Sequence, residues 1–261
     1  MSTQPQPAYQ KIALGGIAPV RRITLANPPV NVIEVPMMEE LARALSEIEQ
    51  HDDISAIVIT GSDRAFSAGV DIAAHTPERV EEMLAKFHAV IRMLLNSKKV
   101  TVAAVRGKAL GGGAELAMVC DLVYTARDAT WGFPEIKLGC YPPVAAVGLA
   151  ALVGQKRAAE LILTGREISG DEAVAIGLAN ASAREEGVEL LVADAVERLR
   201  QLSPAALASA KKAFYAWDAI HFDKGLSRAE DIYLGELMKT EDAAEGIRAW
   251  MEKRPPVWKG K

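Results

Sequence analysis

Residues 110–116 have the sequence Leu-Gly-Gly-Gly-Ala-Glu-Leu and join a β-like run over residues 100–105 to an apolar helical run over residues 114–119. Three consecutive glycines remove every Cβ from this turn, so the backbone can approach a ligand closely. The first N–H groups of the helix have no partner within it and can point at a developing negative charge. Glu115 follows in the first turn, where the helix dipole favours its ionised form. The stretch predicts a strand–turn–helix unit with an anion site and a carboxylate.

A second carboxylate also has a distinctive local sequence. Glu135 lies in residues 131–136, Trp-Gly-Phe-Pro-Glu-Ile, twenty positions after Glu115 and too far along the chain to share its helix. Only the folded structure can bring the two side chains together. Two carboxylates beside an N–H anion site are suited to taking and giving protons next to a carbonyl group. The pair therefore predicts proton-transfer chemistry.

A third motif, Arg-Ala-Phe-Ser-Ala-Gly-Val-Asp at residues 64–71, follows a buried strand predicted over residues 56–60. It is again a turn of small residues that leads towards a helix. Each motif alone is common among proteins. In this order and spacing, however, residues 66–71, residues 110–116 and the Pro-Glu-Ile-Lys-Leu-Gly of residues 134–139 resemble the enoyl-CoA hydratase/isomerase (crotonase) superfamily.

The resemblance extends from about Ile12 to the C-terminus and includes the Leu-Thr-Gly of residues 163–165 and residues 173–179. It implies an α/β fold, a spiral of β-β-α units followed by C-terminal helices that make trimer contacts. It also implies an acyl-CoA thioester as substrate. Coenzyme A is then part of the substrate, and no separate cofactor is expected.

The resemblance also implies roles for individual residues. The backbone N–H groups of Ala68 and Gly112 correspond to an oxyanion hole, and their small side chains would admit a thioester oxygen. In the hydratases, the residue matching Glu115 activates water and the residue matching Glu135 gives a proton to the α-carbon. Double-bond isomerases generally keep only the latter, so both together favour hydration. The alternatives are ordinary turn residues for the first pair and capping or loop carboxylates for the second.

The chain departs from this pattern directly after the second glutamate. The hydratases continue with a proline and a glycine-rich stretch, whereas residues 140–147 read Cys-Tyr-Pro-Pro-Val-Ala-Ala-Val. We expect Pro142, Pro143 and Val144 to bind substrate as a stiff, apolar wall, because proline fixes φ and lacks an N–H. This segment most resembles cyclohexa-1,5-diene-1-carbonyl-CoA hydratase, an enzyme of anaerobic aromatic degradation, and favours a compact ring over a straight chain.

The sequence gives weaker evidence of a catalytic or metal-binding role for the other polar residues. Asp71 is expected to form a local cap rather than to act in catalysis. Ser67 lacks the context of a serine nucleophile. Four scattered histidines have no metal-ligand spacing, so no metal site is predicted. Of these, His75 and His88 fall on or beside the segment that lines the acyl pocket in this family, although packing is the more ordinary role for each.

The composition excludes several classes of protein. The net charge is −4 and the isoelectric point is about 5.7, which gives no electrostatic signature of nucleic-acid binding. No apolar segment has the length of a membrane span, and the N-terminus lacks the pattern of a signal peptide. Two cysteines without metal or redox spacing suggest the reducing cytoplasm.

Local signals predict how the chain is organised. Helices are expected over residues 37–49, from Thr76-Pro77 to about Asn96, after the capping sequence at Ser169 and after Ser203-Pro204. We predict a core domain over residues 1–200 and a helical region over residues 201–261. The apolar positions of that region predict a homotrimer, or a hexamer built from two trimers; they are Leu207, Phe214, Trp217, Ile220, Leu226, Tyr233 and Leu237.

Three functions are consistent with these observations. An acyl-CoA hydratase, a hydro-lyase, agrees best with two glutamates beside an oxyanion hole. An enoyl-CoA isomerase, a straight-chain enoyl-CoA hydratase, or a thioester-dependent hydrolase or decarboxylase would use the same scaffold. A non-catalytic binding protein on this scaffold would have no need of the two glutamates.

Overall fold

Two β-sheets organise the protein. The computed structural model describes residues 9–216 and 218–261, and for residues 218–220 only the backbone. Its strands, in chain order, are β1 (Ile12–Gly15), β2 (Val20–Leu25), β3 (Ala56–Thr60), β4 (Ala65–Ser67), β5 (Val100–Val105), β6 (Lys108–Leu110), β7 (Leu122–Ala126), β8 (Thr130–Gly132), β9 (Glu167–Ser169) and β10 (Ala181–Ala183). The larger sheet has the order β1-β2-β3-β5-β7-β10, and the smaller sheet has the order β4-β6-β8-β9.

Helices surround the sheets and form the C-terminal part of the chain. The α-helices are α1 (Val35–Glu49), α2 (Val80–Asn96), α3 (Gly112–Met118), α4 (Pro143–Val153), α5 (Gln155–Thr164), α6 (Gly170–Ala175), α7 (Val188–Arg200), α8 (Pro204–Tyr215), α9 (Asp218–Gly235) and α10 (Glu241–Met251). A short 3-10 helix, Ile72–His75, follows the motif of residues 64–71, and another, Pro134–Leu138, is formed by the motif of residues 134–139.

A β-β-α unit repeats along the chain. In each unit a strand of the larger sheet is followed by a short strand of the smaller sheet and then by a helix, as in β3-β4-α2 and β5-β6-α3. Neighbouring units align in parallel, with Ala56 opposite Val100 in the larger sheet. This arrangement confirms the predicted spiral of β-β-α units.

The central strands are buried along their whole length. Every residue of β3 (Ala-Ile-Val-Ile-Thr) and of β5 (Val-Thr-Val-Ala-Ala-Val) is buried. Parallel strands covered on both faces have continuous apolar sequences rather than alternating ones, which is the pattern seen here. The core therefore holds the strand ends, and the turns that leave them, in fixed positions.

One predicted helix start was wrong. The helix expected from Thr76-Pro77 begins instead at Val80, although it ends at Asn96 as predicted. Asp71 caps the preceding 3-10 helix by accepting from the N–H of Ala73 at 3.1 Å, which confirms its capping role. Thr76 closes that helix with extended backbone, and its carbonyl accepts from Val80 N–H. A turn therefore separates the capping signal from α2.

The other helix signals are confirmed. The helix predicted over residues 37–49 is α1, which buries Met37, Leu41, Leu45 and Ile48 on one face. The Ser169 hydroxyl accepts from the N–H of Glu172 at the start of α6. The Ser203 hydroxyl likewise accepts from Ala206 N–H at the start of α8.

The C-terminal helices include both buried and exposed apolar residues. Leu226 and Tyr233, two of the apolar positions on which the trimer prediction rests, are buried in the chain's own core and are not available to a second chain. Phe214 is 74% exposed. The side chains of Trp217 and Ile220 lie outside the described residues. The division at residue 200 stays a prediction, as does the trimer. Among the described residues, no helix is both long and apolar enough to cross a membrane.

Candidate active site

One cavity contains most of the residues that the sequence singled out. Glu115, Glu135, Ala68 and Gly112 line it together, and Pro143 forms part of its wall. Glu115 belongs to α3, whereas Glu135 belongs to the 3-10 helix after β8. The smaller sheet positions both, because β6 pairs with β8 and each strand is followed directly by one of these segments. The fold thus joins two motifs that the sequence keeps apart.

Glu115 is buried and held by the backbone of α4. Only 3% of its surface is exposed, and its Oε1 accepts a hydrogen bond of 2.9 Å from the N–H of Ala145. Burial raises the pKa of Glu115 to about 7, against the opposing effect of the Ala145 and Val144 N–H groups. The sequence suggested that the dipole of α3 would favour the ionised form, but burial has the larger effect.

Glu135 lies against the glycine turn. Its Oε1 is 2.5 Å from the point that a Cβ on Gly111 would occupy, and the φ of +50° at Gly111 is a conformation that favours glycine. Part of the residue reaches solvent, but Oε2 is buried and has no hydrogen-bond partner among the described residues. Burial raises the pKa of Glu135 well above 4.5, and the nearby charge of Glu115 raises it further. Glu135 therefore retains its proton more readily than an ordinary glutamate.

The prediction that the N–H of Ala68 is an oxyanion donor was wrong. Its N–H donates to the carbonyl of Val30 at 2.9 Å and is not available to a ligand, although Ala68 does line the cavity. The next N–H, that of Gly69, donates to the hydroxyl of Ser67 at 3.1 Å. That hydroxyl in turn donates to Asn31 O at 2.7 Å, so Ser67 supports the turn.

Val70 supplies the available N–H group instead. A bridge to Ile33 uses the carbonyl of Gly69 and the N–H of Asp71, which turns the N–H of Val70 to the opposite side. Within residues 9–216 and 218–261, neither Val70 N–H nor Gly112 N–H has a hydrogen-bond partner. The nitrogen of Val70 is 3.4 Å from the position that a Cβ on Gly112 would take. These two N–H groups thus lie side by side at the cavity.

The proline segment acts differently from the prediction. Of the three residues expected to bind substrate, Pro143 lines the cavity, but Pro142 and Val144 do not. Pro142 precedes α4 and Pro143 is its first residue, so the helix turns Val144 into the core, where it is fully buried. Proline is common at the first position of a helix, so the proline pair also indicated a helix start, which the comparison with the hydratase pattern did not suggest.

Further side chains with polar groups line the cavity: His75 and His88, to which the sequence pointed, and Tyr141 and Tyr233. His88 on α2 is fully buried, and its Nδ1 lies 2.5 Å from Glu230 Oε1. Tyr141 donates its hydroxyl to Ala229 O at 2.6 Å. Tyr233 on α9 is 1% exposed. No local signal marks a tyrosine on the distant helix α9 as a cavity residue.

The profile of the family described as enoyl-CoA hydratase/isomerase matches residues 16–261. The chain belongs to this family. It is 34% identical over 241 residues to cyclohexa-1,5-dienecarbonyl-CoA hydratase of Thauera aromatica, covering 92% of this chain and 93% of that protein. It is 36% identical over 244 residues to a probable enoyl-CoA hydratase of Bacillus subtilis, covering 91% of this chain and 94% of that protein.

Solved structures agree with this assignment. The fold superposes on the crystal structure of an enoyl-CoA hydratase from Mycobacterium avium subsp. paratuberculosis with a TM-score of 0.87 and 26% identity. The match covers 97% of this chain and all of that one. The predicted crotonase-type fold and the prediction of an enzyme of the enoyl-CoA hydratase/isomerase family are thereby confirmed.

Proposed function

We propose that the protein is an acyl-CoA hydratase in which Glu115 and Glu135 act as base and acid. The supporting observation is that two buried carboxylates with raised pKa values share one cavity with two unpaired N–H groups. Adding water to a conjugated thioester requires a base for the water and an acid for the carbon. A non-catalytic binding protein would not need this combination.

The environments of the two carboxylates support these roles. The Ala145 N–H donates to Glu115 and favours its charged form, whereas Glu135 Oε2 has no such donor. Two close carboxylates push their pKa values apart, so one ionises while the other stays protonated. Glu115 is the group that ionises first and acts as the base. Glu135 keeps its proton and acts as the acid.

These roles define the order of steps in the addition of water to the double bond. Glu115 takes a proton from water, and the water oxygen bonds to the β-carbon. The electrons of the double bond move towards the thioester oxygen, which the N–H groups of Val70 and Gly112 stabilise. Glu135 gives its proton to the α-carbon as the carbonyl re-forms. Water has been added, and the two carboxyl groups have exchanged protonation states.

The shape of the cavity favours a compact acyl group. Met83, Leu84 and Phe87 of α2 form one apolar wall, and Pro143 at the start of α4 forms part of another. Packed helices hold both walls, so a ring that fills the space is kept in position for attack, whereas a short chain is not. We propose a cyclic conjugated dienoyl-CoA as substrate, supported by the likeness to the Thauera aromatica enzyme.

Steady-state kinetics test this function and its substrate. The purified protein should hydrate cyclohexa-1,5-diene-1-carbonyl-CoA with a higher kcat/KM than crotonyl-CoA or longer linear enoyl-CoA esters. Equal or better activity on the linear esters would refute the ring preference and leave a general enoyl-CoA hydratase. Isomerisation of a 3-enoyl-CoA that depends on Glu135 and not on Glu115 would instead identify an isomerase.

A further inference from the structure

Two buried polar atoms in the cavity have no role in the proposed hydration. They are Nε2 of His88 and the hydroxyl oxygen of Tyr233, and neither has a hydrogen-bond partner among the described residues. The two side chains come from α2 and α9, which pack against each other. A buried polar group that lacks a partner destabilises the protein, so such a pair inside a binding cavity points to a ligand that completes it.

The surroundings of His88 determine which of its nitrogens can accept a hydrogen bond. Nδ1 lies 2.5 Å from Oε1 of Glu230, and Arg92 contacts the same carboxylate oxygen at 3.4 Å. A carboxylate paired with arginine accepts hydrogen bonds, so Nδ1 carries the proton. Burial lowers the pKa of His88, with Arg92 acting in the same direction and Glu230 opposing both. A neutral ring with its proton on Nδ1 presents the lone pair of Nε2 to the cavity.

Tyr233 presents the complementary group. Burial raises the pKa of its hydroxyl well above 10.0, so it keeps its proton at physiological pH. The thiol of Cys140 lies within hydrogen-bonding reach of this hydroxyl, but the two groups do not meet the geometry of a hydrogen bond and sulfur is a weak acceptor. The thiol itself donates to Leu138 O at 3.6 Å. The Tyr233 hydroxyl is therefore an available donor in the lining of the same cavity as the available acceptor of His88.

We propose that the substrate's acyl group carries a hydroxyl group that donates to His88 Nε2 and accepts from Tyr233 Oη. A hydroxyl is the small group that both donates and accepts one hydrogen bond, which matches this pair. An acyl group made only of carbon and hydrogen offers neither atom a hydrogen-bond partner, so the cyclic substrate proposed above would carry the hydroxyl as a substituent of its ring. The proposal rests on the proposed function, because it concerns the acyl group that occupies the same cavity.

The test compares acyl-CoA esters that differ by one hydroxyl. Cyclic and linear enoyl-CoA esters are each assayed with and without a hydroxyl on a carbon beyond the double bond, varying its position. We expect one hydroxylated ester to exceed its parent in kcat/KM by about 10- to 100-fold. Calorimetric binding of the matching saturated acyl-CoA pair gives the same comparison without turnover. It therefore tests the hydroxyl site even if hydration itself is not observed.

Tyr233→Phe removes only the hydroxyl and should bring the ratio of kcat/KM for the hydroxylated ester to that for its parent close to one. His88→Leu should do the same, and the ratio of two esters on one preparation is independent of the folded fraction. Tyr124→Phe on β7 is the matched control and should keep the preference. A ratio near one in the wild-type protein for every position, or a preference that survives in Tyr233→Phe, would overturn the proposal.

Discussion

The N–H of Ala145 donates to Oε1 of Glu115 at 2.9 Å, and this bond connects the start of α4 to the first turn of α3. Pro142 and Pro143 have no N–H groups, so the first donors of α4 are those of Val144 and Ala145. Both favour the charged form of Glu115. The proline pair thus begins α4 at a point where the first N–H groups of the helix face the carboxylate of Glu115.

The rate of hydration should depend on pH through both glutamates. Because the pKa of Glu115 is about 7, kcat/KM should rise as pH increases through that value and the base loses its proton. It should fall at higher pH, when Glu135 loses the proton it must donate. Glu115→Gln should remove the rising limb and Glu135→Gln the falling limb, each lowering the rate by about 10²–10⁴-fold.

Glu81→Gln is the matched control for these variants, because Glu81 is an exposed carboxylate in the first turn of α2. It should keep both limbs and the full rate. Circular dichroism of all three variants checks that each is folded. A rising limb that persists unchanged in Glu115→Gln would show that another group acts as the base.

Glu115→Gln should also stabilise the protein at alkaline pH. Burial raises the pKa of Glu115 from 4.5 to about 7, so its contribution to stability is present below pH 4.5 and is lost as pH rises through 7. Glutamine keeps the acceptor for Ala145 N–H without the buried charge. The gain in free energy of unfolding should be about 3 kcal/mol well above pH 7.

Denaturant unfolding at two pH values checks this prediction. The gain should vanish in acid, where wild-type Glu115 is already protonated. Glu81→Gln again serves as the control and should show no gain at either pH. An equal effect of Glu115→Gln at both pH values would mean that packing rather than charge is responsible.

The sequence predicted the central strands β3 and β5 of the larger sheet, because the continuous apolar runs of residues 56–60 and 100–105 have few alternatives. It did not reveal the short strands of the smaller sheet. Lys108–Leu110 and Thr130–Gly132 have only three residues each and pair through their positions in the spiral. The β-β-α units therefore repeat in the order and placement of their strands and helices, and not in the residue types that form them.

Within the site, the sequence pointed to both side chains and to one backbone donor, Gly112, but not to the second donor. Glu115 and Glu135 are marked by residue type, whereas any residue supplies an N–H. The choice between Ala68 and Val70 depends on the bond from Ala68 to Val30, which lies far away in the sequence. Tyr233 could not be predicted for a similar reason, since only the packing of α9 brings it to the cavity.

Removing a single N–H group should separate the two candidate oxyanion donors. An ester in place of the amide at Val70 deletes only that donor and should lower kcat by about 10²–10³-fold. The same replacement at Ala68 removes the bond to Val30 and should affect stability more than turnover. Thermal unfolding and kcat, measured on both proteins, give the comparison. A loss of turnover confined to the Ala68 ester would contradict the assignment.

Gly112→Ala should block the same position. Its Cβ would lie 2.6 Å from Cγ2 of Val70 and 3.4 Å from the Val70 nitrogen, where the thioester oxygen is expected. We expect kcat to fall by about 10²-fold or more. Gly235→Ala is the matched control, because a Cβ there meets nothing within 4 Å. Full activity of Gly112→Ala would place the oxygen elsewhere.

Lys211 should contribute to stability and not to catalysis. Its buried Nζ donates to Asp121 Oδ2 at 2.7 Å and to the carbonyls of Leu94 and Lys99 at 3.2 and 2.9 Å. Lys211→Met leaves Asp121 without its cation, and breaking such a buried pair costs about 3–5 kcal/mol. The exposed neighbour Lys212, changed to Met, is the control in denaturant unfolding. A loss confined to turnover would contradict this role.

The last prediction concerns assembly. Phe214 on α8 is 74% exposed, and Trp250 at the end of α10 is 49% exposed. Exposed apolar surface of this kind is available to be covered by another protein chain. We expect these helices to be covered by other copies of the chain, in trimers that pair into a hexamer. Light scattering at micromolar concentration should therefore give the mass of three or six chains.

Paired substitutions locate the contact. Phe214→Glu introduces a charge into the expected interface and should shift the mass towards the monomer, because a buried unpaired charge is strongly unfavourable. Leu190→Glu makes the same change at a residue of α7 that is 73% exposed but lies outside the C-terminal helices, and it should leave the mass unchanged. A wild-type monomer would refute the assembly. A loss of mass in Leu190→Glu alone would place the interface on α7, and the exposure of Phe214 would then need another explanation.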